Sequence, residues 1–376
     1  MSVDRRRPLA RAADRAASIL EIDLDAIIAN WCSLGARLGP ATRLAAVVKA
    51  DAYGLGAARV APALAAAGCR LFFVATIDEG IALRRTLPAA EIAVFNGLAP
   101  AIPGEFWRAR LMPVLNDLGQ IEAWRRFARR RGAAPAMLHI DTGMARLGLS
   151  KSELKRLLDE PERLQGVALA AILSHLANAG EPADPMNAAQ RDAFRAALAR
   201  LPHAPASLAA SSGIFLGPDF HFDIARPGAA LYGVNPLGRG PNPMRQVVHL
   251  RARILQVRDI DRGESVGYGA AHRMDRPGRV ATVAIGYADG WLRSASHRGH
   301  VGIAGARAPV IGRISMDLLT IDVTGIDPEL ARPGNFVDLL DERYGVDEAA
   351  AAAGTIGYEI LTALGRRALR VYRGAG

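Results

Sequence analysis

Eight short β-type runs alternate with helical stretches between residues 44 and 233, and this repetition limits the chain to few folds. The runs are LAAVV, LFFVA, IAVFN, LMPVL, MLHI, ALAAIL, ASLAA and FDIAR. Eight β-then-helix units favour a closed parallel barrel over an open doubly wound sheet. The seventh run, at Ala206 to Ala210, is the weakest of the eight. The pattern therefore predicts an α/β fold built on an eight-stranded parallel α/β (TIM-like) barrel.

The composition and the hydrophobic pattern of the sequence change after Asn235. Glycine and proline cluster in NPLGRGPNPM, and alternating runs such as VVHLRARILQVRDI and RVATVAIGY follow. Alternation of this kind predicts strands. We therefore expect a barrel over residues 25–235 and a C-terminal β-rich domain over residues 236–376. Residues 18–24, SILEIDL, form a strand-like run before the barrel, and residues 1–17 are expected to be a disordered or short helical basic extension.

Composition excludes several classes of protein. A chain of 376 residues is long enough to bury a large core and to divide into two domains. The net charge of +10 comes from scattered arginines without interleaved aromatic residues, so nucleic-acid binding is not predicted. Cys32 and Cys69 have neither a disulfide nor a metal spacing, which favours a reducing cytoplasm and no metal. No apolar run suggests a membrane span, and the first eighteen residues lack the apolar region of a secretory signal.

Lys49 ends an apolar run and opens a glycine-bearing loop, in AVVKADAYGLG at residues 46–56. The only other lysines are Lys151 and Lys155, which follow a predicted helix start, Ser150 to Glu153, and are expected on its solvated face. Unlike guanidinium, an amine can lose its proton near neutral pH and form a Schiff base with a carbonyl. A lysine that merely snorkels from a strand end is the alternative. The end of a barrel strand favours the catalytic interpretation.

This eleven-residue string resembles the pyridoxal-phosphate lysine signature of alanine racemases, and the similarity continues through nearly all of residues 18–374. The resemblance implies an α/β barrel followed by a β-rich domain that pairs with the strand at residues 18–24. It also implies a head-to-tail homodimer with shared active sites. The implied activity is the interconversion of L-alanine and D-alanine by a two-base proton transfer, for peptidoglycan precursors or for alanine catabolism.

The same resemblance assigns the cofactor site. Lys49 would bind the cofactor aldehyde, and Arg226 in RPGAALYG would face the ring nitrogen. Because arginine is effectively always protonated, it cannot hand the ring a proton, so the ring is a weaker electron sink. The expected phosphate ligands are Tyr53, Ser212, Tyr358 and the backbone amides at Gly228 and Ala229. The position before Ser212, often asparagine in the family, is Ser211 here.

Racemisation is most economical with two bases on opposite sides of the cofactor plane. By resemblance, these are Lys49 and Tyr268 of the partner subunit's second domain. An ordinary tyrosine has a pKa of about 10 and needs a nearby group that favours its phenolate to act as a base at neutral pH. The implied help is His175, which would link Tyr268 to Arg226. The residues implied to bind the substrate or to narrow its access are Arg146, Met316, Tyr287 and Asp317.

One position departs from the family. Where many relatives carry a lysine modified to a carbamate, two residues before Asp141, this chain has His139. Imidazole cannot supply the same stable anion. We therefore expect an unmodified His139, activity without a carbamate, and an Arg146 that is held by His139, by water or by a captured anion.

Three alternatives remain at the level of the sequence. A broad-specificity or serine racemase of the same fold would need a roomier access to the site. An amino-acid decarboxylase of the same barrel type commonly places a cysteine where Tyr268 stands. A cofactor-carrier protein would consist of the barrel alone, which the β-type sequence after residue 236 disfavours.

Overall fold

The structure is a computed structural model that describes residues 6–99, 102–132 and 134–375. Its strands are β1 (Ser18–Asp23), β2 (Arg43–Leu44), β3 (Ala46–Val47), β4 (Leu71–Val74), β5 (Glu91–Val94), β6 (Met112–Leu115), β7 (Ala134–His139), β8 (Val167–Leu173), β9 (Ala206–Ser207), β10 (Ile224–Ala225), β11 (Val248–Ile260), β12 (Ser265–Val266), β13 (His272–Arg273), β14 (Gly278–Val283), β15 (His300–Ile303), β16 (Ala306–Ile311), β17 (Leu319–Asp322), β18 (Phe336–Leu340) and β19 (Leu369–Arg373). Its helices are α1 (Arg6–Arg15), α2 (Leu24–Gly35), α3 (Lys49–Tyr53), α4 (Ala57–Ala66), α5 (Ile77–Thr86), α6 (Pro103–Arg108), α7 (Leu118–Arg131), α8 (Lys151–Asp159), α9 (Pro185–Leu198), α10 (Val346–Ala353) and α11 (Gly357–Ala363).

The chain divides into two compact units. The barrel unit is Ile27–Arg245, and the β-rich unit combines Met1–Ala26 with Gln246–Gly376. Within the described ranges, no helix has both the length and the apolar character needed to cross a membrane. Of the N-terminal extension, residues 1–5 lie outside the described residues, and α1 follows them.

Strands β3 to β9 of the barrel unit form one parallel sheet in chain order. Strand β10 fills the eighth place: it pairs in parallel with β2, and the amide of Arg226 donates to Ala209 O of the β9 chain segment at 2.8 Å. The amide of Val47 in turn donates to Pro227 O at 2.9 Å. These hydrogen bonds close the ring, so the prediction of an eight-stranded barrel is confirmed, including the weak seventh run.

Strand burial and the start of helix α8 in the barrel unit agree with the local sequence. The interior strands β4 and β6 are buried at every residue, as expected for a parallel sheet covered on both faces. The predicted helix start at Ser150 is confirmed, because Ser150 and Glu153 form a reciprocal capping box at α8. Lys155 lies on the exposed face of this helix and pairs with Asp159 at 2.6 Å.

The β-rich unit is built around the thirteen-residue strand β11. Over its first half β11 pairs with β1 and β18, and over its second half it pairs with β14, with a register shift between Ile254 and Gln256. Strands β17, β16 and β15 connect β14 back to β18, so the sheet closes on itself. Strand β1 also pairs in parallel with β19. This arrangement is the β-rich domain that the alternating sequence predicted.

Candidate active site

Lys49 follows β3 at the carboxyl end of the barrel strands. Its side chain is partly buried, and its Nζ lies 6.0 Å from the ring centroid of Phe95. Burial lowers the pKa of Lys49, and the charge of Arg146 lowers it further, whereas Glu79 acts in the opposite direction. The amine is therefore easier to deprotonate than an ordinary lysine, as a Schiff-base lysine or a general base requires.

The backbone after Lys49 adopts the left-handed conformation, which is unfavourable for L-amino acids other than glycine. Residues 50–53 all have φ between 52 and 55°, and Gly54 at 83° ends the turn. A left-handed conformation costs a non-glycine residue about 1–2 kcal/mol. Two carboxylates hold it: Glu79 accepts from the amide of Ala50 at 2.7 Å, and Asp51 accepts from the amide of Ala57 at 2.7 Å. Such strain persists only where surrounding contacts over-determine it, which is common at functional sites.

Glu79 was not singled out from the sequence. Its two carboxylate oxygens bind the Ala50 amide on one side and the amides of Ala75 and Thr76 on the other, so it ties the Lys49 turn to the end of β4. The signal was present as the capping pair Thr76 and Glu79 at the start of α5. That pattern predicts a helix start and carries no information about a neighbouring strand.

Tyr53 points into the barrel unit and is 6% exposed. Its ring lies 4.7 Å from that of Tyr232, whose hydroxyl donates to Val47 O at 2.9 Å. A Cβ placed on Gly228 would lie 2.3 Å from the Tyr53 hydroxyl. Gly228 is thus a position where the absence of a side chain leaves room for a hydroxyl at the strand ends.

Ser211 organises the backbone opposite Tyr53. Its buried hydroxyl accepts from the amides of Gly228 at 3.0 Å and Ala230 at 3.2 Å. The Gly228 amide, expected from the sequence to bind phosphate, is therefore bonded to Ser211 in this structure. Ser212 is partly exposed and begins a 3₁₀ turn at the same edge, and Ala229 starts another. Serine at this position, which is often asparagine in the family, thus bonds two backbone amides of the segment after β10.

Arg226 is a fully buried cation just after β10. One terminal nitrogen donates to Ser174 O at 2.7 Å and the other to the hydroxyl of Ser207. Burial lowers the pKa of Arg226 to about 10, so it remains protonated at neutral pH. Both partners come from the ends of the neighbouring strands β8 and β9, and sequence reasoning did not identify either of them.

His175 and His139 are held neutral near these cations. Burial, followed by the charges of Arg226 and Arg146, lowers the pKa of His175 to about 3. Burial and then Arg226 lower the pKa of His139 to about 4, against the opposing effect of Asp141. Any positive charge offered from this part of the site therefore belongs to the arginines and not to an imidazolium.

Arg146 lies in the loop between β7 and α8 and is exposed. The loop is shaped by Asp141, whose carboxylate accepts from the amides of Gly143, Met144 and Ala145. Those three bonds lower the pKa of Asp141 although burial opposes them. The loop is thus ordered from within and presents a guanidinium group on the same side of the barrel as Lys49.

The β-rich unit carries the remaining predicted residues on loops. Tyr268 is 71% exposed and follows β12, with Arg313 packed against the flanking glycines Gly267 and Gly269. Tyr358 lies in α11; although it is 40% exposed overall, burial around its hydroxyl raises its pKa, with a smaller contribution from Asp347.

Two loops of the same unit bring Tyr287 and Met316 together. The amide of Ala288 donates to Met316 O at 2.9 Å, and that of Tyr287 to Ser315 O at 3.1 Å. Arg367 bridges the loops, because its guanidinium contacts Asp317 at 2.7 Å and the buried Asp289 at 3.0 Å. Arg367 was not predicted from the sequence.

The candidate residues thus fall into two sets. The barrel unit gathers its set at the carboxyl ends of its strands: Lys49, Tyr53, His139, Arg146, His175, Ser212, Arg226, Gly228 and Ala229. The β-rich unit carries Tyr268, Tyr287, Met316, Asp317 and Tyr358. In the described part of the chain, no cluster of histidine, cysteine, aspartate and glutamate side chains could hold a metal ion.

Comparison with known proteins covers both units. A family model described as "Alanine racemase, N-terminal domain" matches residues 22–236, and one described as "Alanine racemase, C-terminal domain" matches residues 247–372. An alanine racemase of Rhodospirillum rubrum is 52% identical over 363 residues, which is 96% of this chain and 97% of the relative. A catabolic alanine racemase of Mesorhizobium japonicum is 47% identical over 369 residues, which is 98% of this chain and 96% of the relative.

Among solved structures, the alanine racemase of Bartonella henselae superposes with a TM-score of 0.92 at 42% identity. The match covers 95% of this chain and 100% of that one. The Bartonella structure is described as containing covalently bound pyridoxal phosphate.

Proposed function

The chain belongs to the alanine racemase family and is a pyridoxal-phosphate-dependent isomerase that interconverts L-alanine and D-alanine, and on that premise we propose that Lys49 and Tyr268 are its two bases. The observation that carries the assignment of Lys49 is the lowered pKa of this amine at the carboxyl end of β3.

The donor set fits pyridoxal phosphate. An amine with a lowered pKa suits the aldehyde, and a buried, permanently charged Arg226 suits a ring nitrogen that stays unprotonated. The hydroxyls of Tyr53 and Ser212 and the amide of Ala229 suit a phosphate, which accepts many hydrogen bonds. When bound, the cofactor supplies an electron-accepting ring that makes the α proton of the amino acid more acidic.

The chain's own residues then move the proton. Lys49 Nζ takes or returns it on one face of the substrate, and the hydroxyl oxygen of Tyr268 does so on the other. Because His175 is neutral, it can orient the phenol and hydrogen-bond to it, while Arg226 supplies the positive charge that favours a phenolate. Because Arg226 stays protonated at neutral pH, it does not transfer a proton to the cofactor ring, which favours simple proton return over side reactions.

Substrate selection is assigned to Arg146 and to the loops of the β-rich unit. Arg146 binds the carboxylate together with the backbone of Met316. Tyr287 and Asp317 narrow the access so that a large side chain clashes, and Arg367 holds Asp317 in place. A clash excludes large substrates more strongly than the loss of a methylene contact would.

We further propose a homodimer in which the partner's Tyr268 completes each site, in the cytoplasm. Support for sharing is that Lys49 and Tyr268 belong to different units of the chain. The two cysteines, Cys32 and Cys69, are both free, which suits a reducing compartment. The product supplies peptidoglycan precursors or enters alanine catabolism.

The activity is tested with purified protein. The protein should show the absorbance band of bound pyridoxal phosphate, at the border between the ultraviolet and the visible range. Incubation with L-alanine should yield D-alanine, detected by chiral analysis. Lys49→Ala should yield none, and L-serine should turn over far more slowly than L-alanine. No D-alanine from the wild-type protein would contradict the proposed function, and equal turnover of serine would favour a broad-specificity racemase.

A further inference from the structure

Asn116 and His139 lie side by side at the carboxyl edge of the barrel. Strands β6 and β7 are parallel and in register, with Val114 opposite Met137 and Leu115 opposite Leu138. The next two residues along these strands that face each other are therefore Asn116 and His139. Their side chains meet, since Asn116 Oδ1 lies 2.8 Å from His139 Nδ1.

The orientation of the Asn116 amide decides which nitrogen of His139 carries the proton. Asn116 is 4% exposed, and its Nδ2 donates to Phe95 O at 3.0 Å and Val114 O at 2.9 Å. Two carbonyl acceptors identify that atom as the nitrogen, so the atom facing His139 is the oxygen, which can only accept. His139 Nδ1 must then be the donor. With its pKa lowered to about 4, the ring is neutral at pH 7, and Nε2 keeps a free lone pair.

The imidazole of His139 lies against the loop that carries Arg146. The end of this loop is held to His139 by a backbone hydrogen bond, in which the Leu149 amide donates to His139 O at 2.8 Å. A Cβ placed on Gly148 would lie 3.1 Å from His139 Cδ2, the ring carbon bonded to Nε2. Gly148 is two residues from Arg146, so the Cδ2 side of the ring lies against the loop that carries this guanidinium.

The guanidinium of Arg146 has no partner of its own among the described residues. Within the described part of the chain its guanidinium forms no hydrogen bond or ion pair, and the nearest carboxylate in its loop, Asp141, is occupied by three backbone amides. An acceptor beside it would therefore set its orientation.

We propose that Asn116 and His139 are positioning residues: Asn116 holds the imidazole in the tautomer whose Nε2 accepts a hydrogen bond from Arg146, and this bond aims the guanidinium at the substrate carboxylate. A neutral acceptor has a specific advantage here. A carboxylate in its place would pair with Arg146 and compete with the substrate's own carboxylate, whereas a lone pair orients the arginine and leaves its charge available. The inference rests on the proposed function, in which Arg146 binds the substrate.

The tautomer is measured directly, without reference to turnover. In the holoenzyme with ¹⁵N-labelled histidine, the resonances missing from His139→Gln identify His139. They should report a neutral ring protonated on Nδ1 at pH 7. Protonation on Nε2, or an imidazolium, would overturn the inference while leaving racemisation by the wild-type enzyme, and so the proposed function, intact.

Asn116→Ala tests the cause of the tautomer. Removal of the acceptor should let the Nε2-protonated form appear and should raise KM for alanine. Asn335→Ala is a matched control, because Asn335 Nδ2 also donates to two carbonyls, Glu329 O and Leu330 O, at 2.9 and 3.0 Å. An unchanged tautomer in Asn116→Ala would contradict the role of the amide.

The hydrogen bond to Arg146 is tested by two substitutions at one position. His139→Gln keeps an acceptor near the place of Nε2, and His139→Leu keeps none. Since hydrogen bonds to charged groups are the stronger kind, KM for alanine should rise about 10- to 100-fold in His139→Leu, with kcat changed less, and should stay within about threefold in His139→Gln. His203→Leu, at an exposed histidine, should leave both constants unchanged.

Equal effects of the two His139 substitutions, or a fall in kcat with KM unchanged, would overturn the proposal. If His139→Leu does not fold, His139→Gln and the tautomer measurement still decide it: a rise in KM of tenfold or more in folded His139→Gln would count against an acceptor role.

Discussion

The hydroxyl of Tyr53 occupies the space in which Gly228 would carry a side chain, since a Cβ on Gly228 would lie only 2.3 Å from that oxygen and 3.3 Å from Val47 Cβ. Gly228 has φ of −127°, so glycine is required there by close approach and not by a left-handed backbone. The contact joins the segment after β10 to the turn that begins at Lys49, and both carry predicted cofactor ligands.

Gly228→Ala should therefore displace Tyr53 and weaken the binding of pyridoxal phosphate. Overpacking of this kind typically costs about 1–3 kcal/mol of stability. Cofactor titration by absorbance and thermal unfolding of the cofactor-free protein measure the two effects. Gly39→Ala, where nothing lies within 4 Å, is the control and should change neither. Unaltered cofactor affinity in Gly228→Ala would remove Tyr53 from the phosphate site.

Borohydride reduction of the holoenzyme should fix the cofactor covalently on Lys49, because this is the lysine with a lowered pKa at a strand end. Lys155 lies on an exposed helix face in an ion pair with Asp159. Peptide mapping locates the adduct, and Lys155→Ala should label as the wild type does. An adduct on Lys151 or Lys155 would refute the assignment.

Mixed dimers test the sharing of active sites between subunits. Lys49→Ala and Tyr268→Phe should each be inactive, and a heterodimer of the two has one site with both native residues, so about one site in two should recover. Activity is measured after co-expression with two different affinity tags and isolation of the doubly tagged species. Verified heterodimers without activity would count against a site completed by the partner's Tyr268.

Tyr268→Phe should separate the two faces of the substrate. Loss of a general base costs about 10²- to 10⁴-fold, and a base needed for one face should lie at or above the top of that range. Racemisation should disappear while cofactor binding persists, because the phenol makes no bond to the cofactor. The variant should still exchange the α hydrogen of D-alanine with deuterated solvent through Lys49, and exchange from L-alanine should fall away. Equal exchange from both enantiomers would show that one base serves both faces.

Stability should fall as the pH drops from 7 to 5. The pKa values of His139 and His175 are lowered from 6.5 to about 4 and about 3 on folding, so below pH 6.5 the unfolded chain binds more protons than the folded one. Their stabilising contribution is present above pH 6.5 and is lost as the pH falls toward the folded pKa values. His139→Gln should lose less free energy of unfolding than the wild type over this range, by about 2 kcal/mol. Equal losses would place His139 in contact with solvent.

Local pattern was sufficient to predict the fold class and to propose Lys49 as the reactive lysine. The eight apolar runs predict a barrel because each strand must be buried on both faces, and Lys49 at the end of one run is recognisable from its immediate neighbours. Tyr268 and Arg226 could be assigned only through resemblance, because a tyrosine in a loop and an arginine after a short strand carry no local mark of their role.

Tertiary structure alone decided which groups support these residues. Glu79 reaches Ala50 from a different β-α unit, Ser211 reaches Gly228 across the gap between β9 and β10, and Asn116 meets His139 through the register of β6 and β7. Each pair is distant in sequence, and each partner alone has the sequence context of a helix cap, a loop residue or a strand end. Their roles arise because a closed parallel barrel brings the carboxyl ends of all its strands to one edge, where hydrogen bonds form between neighbours in space.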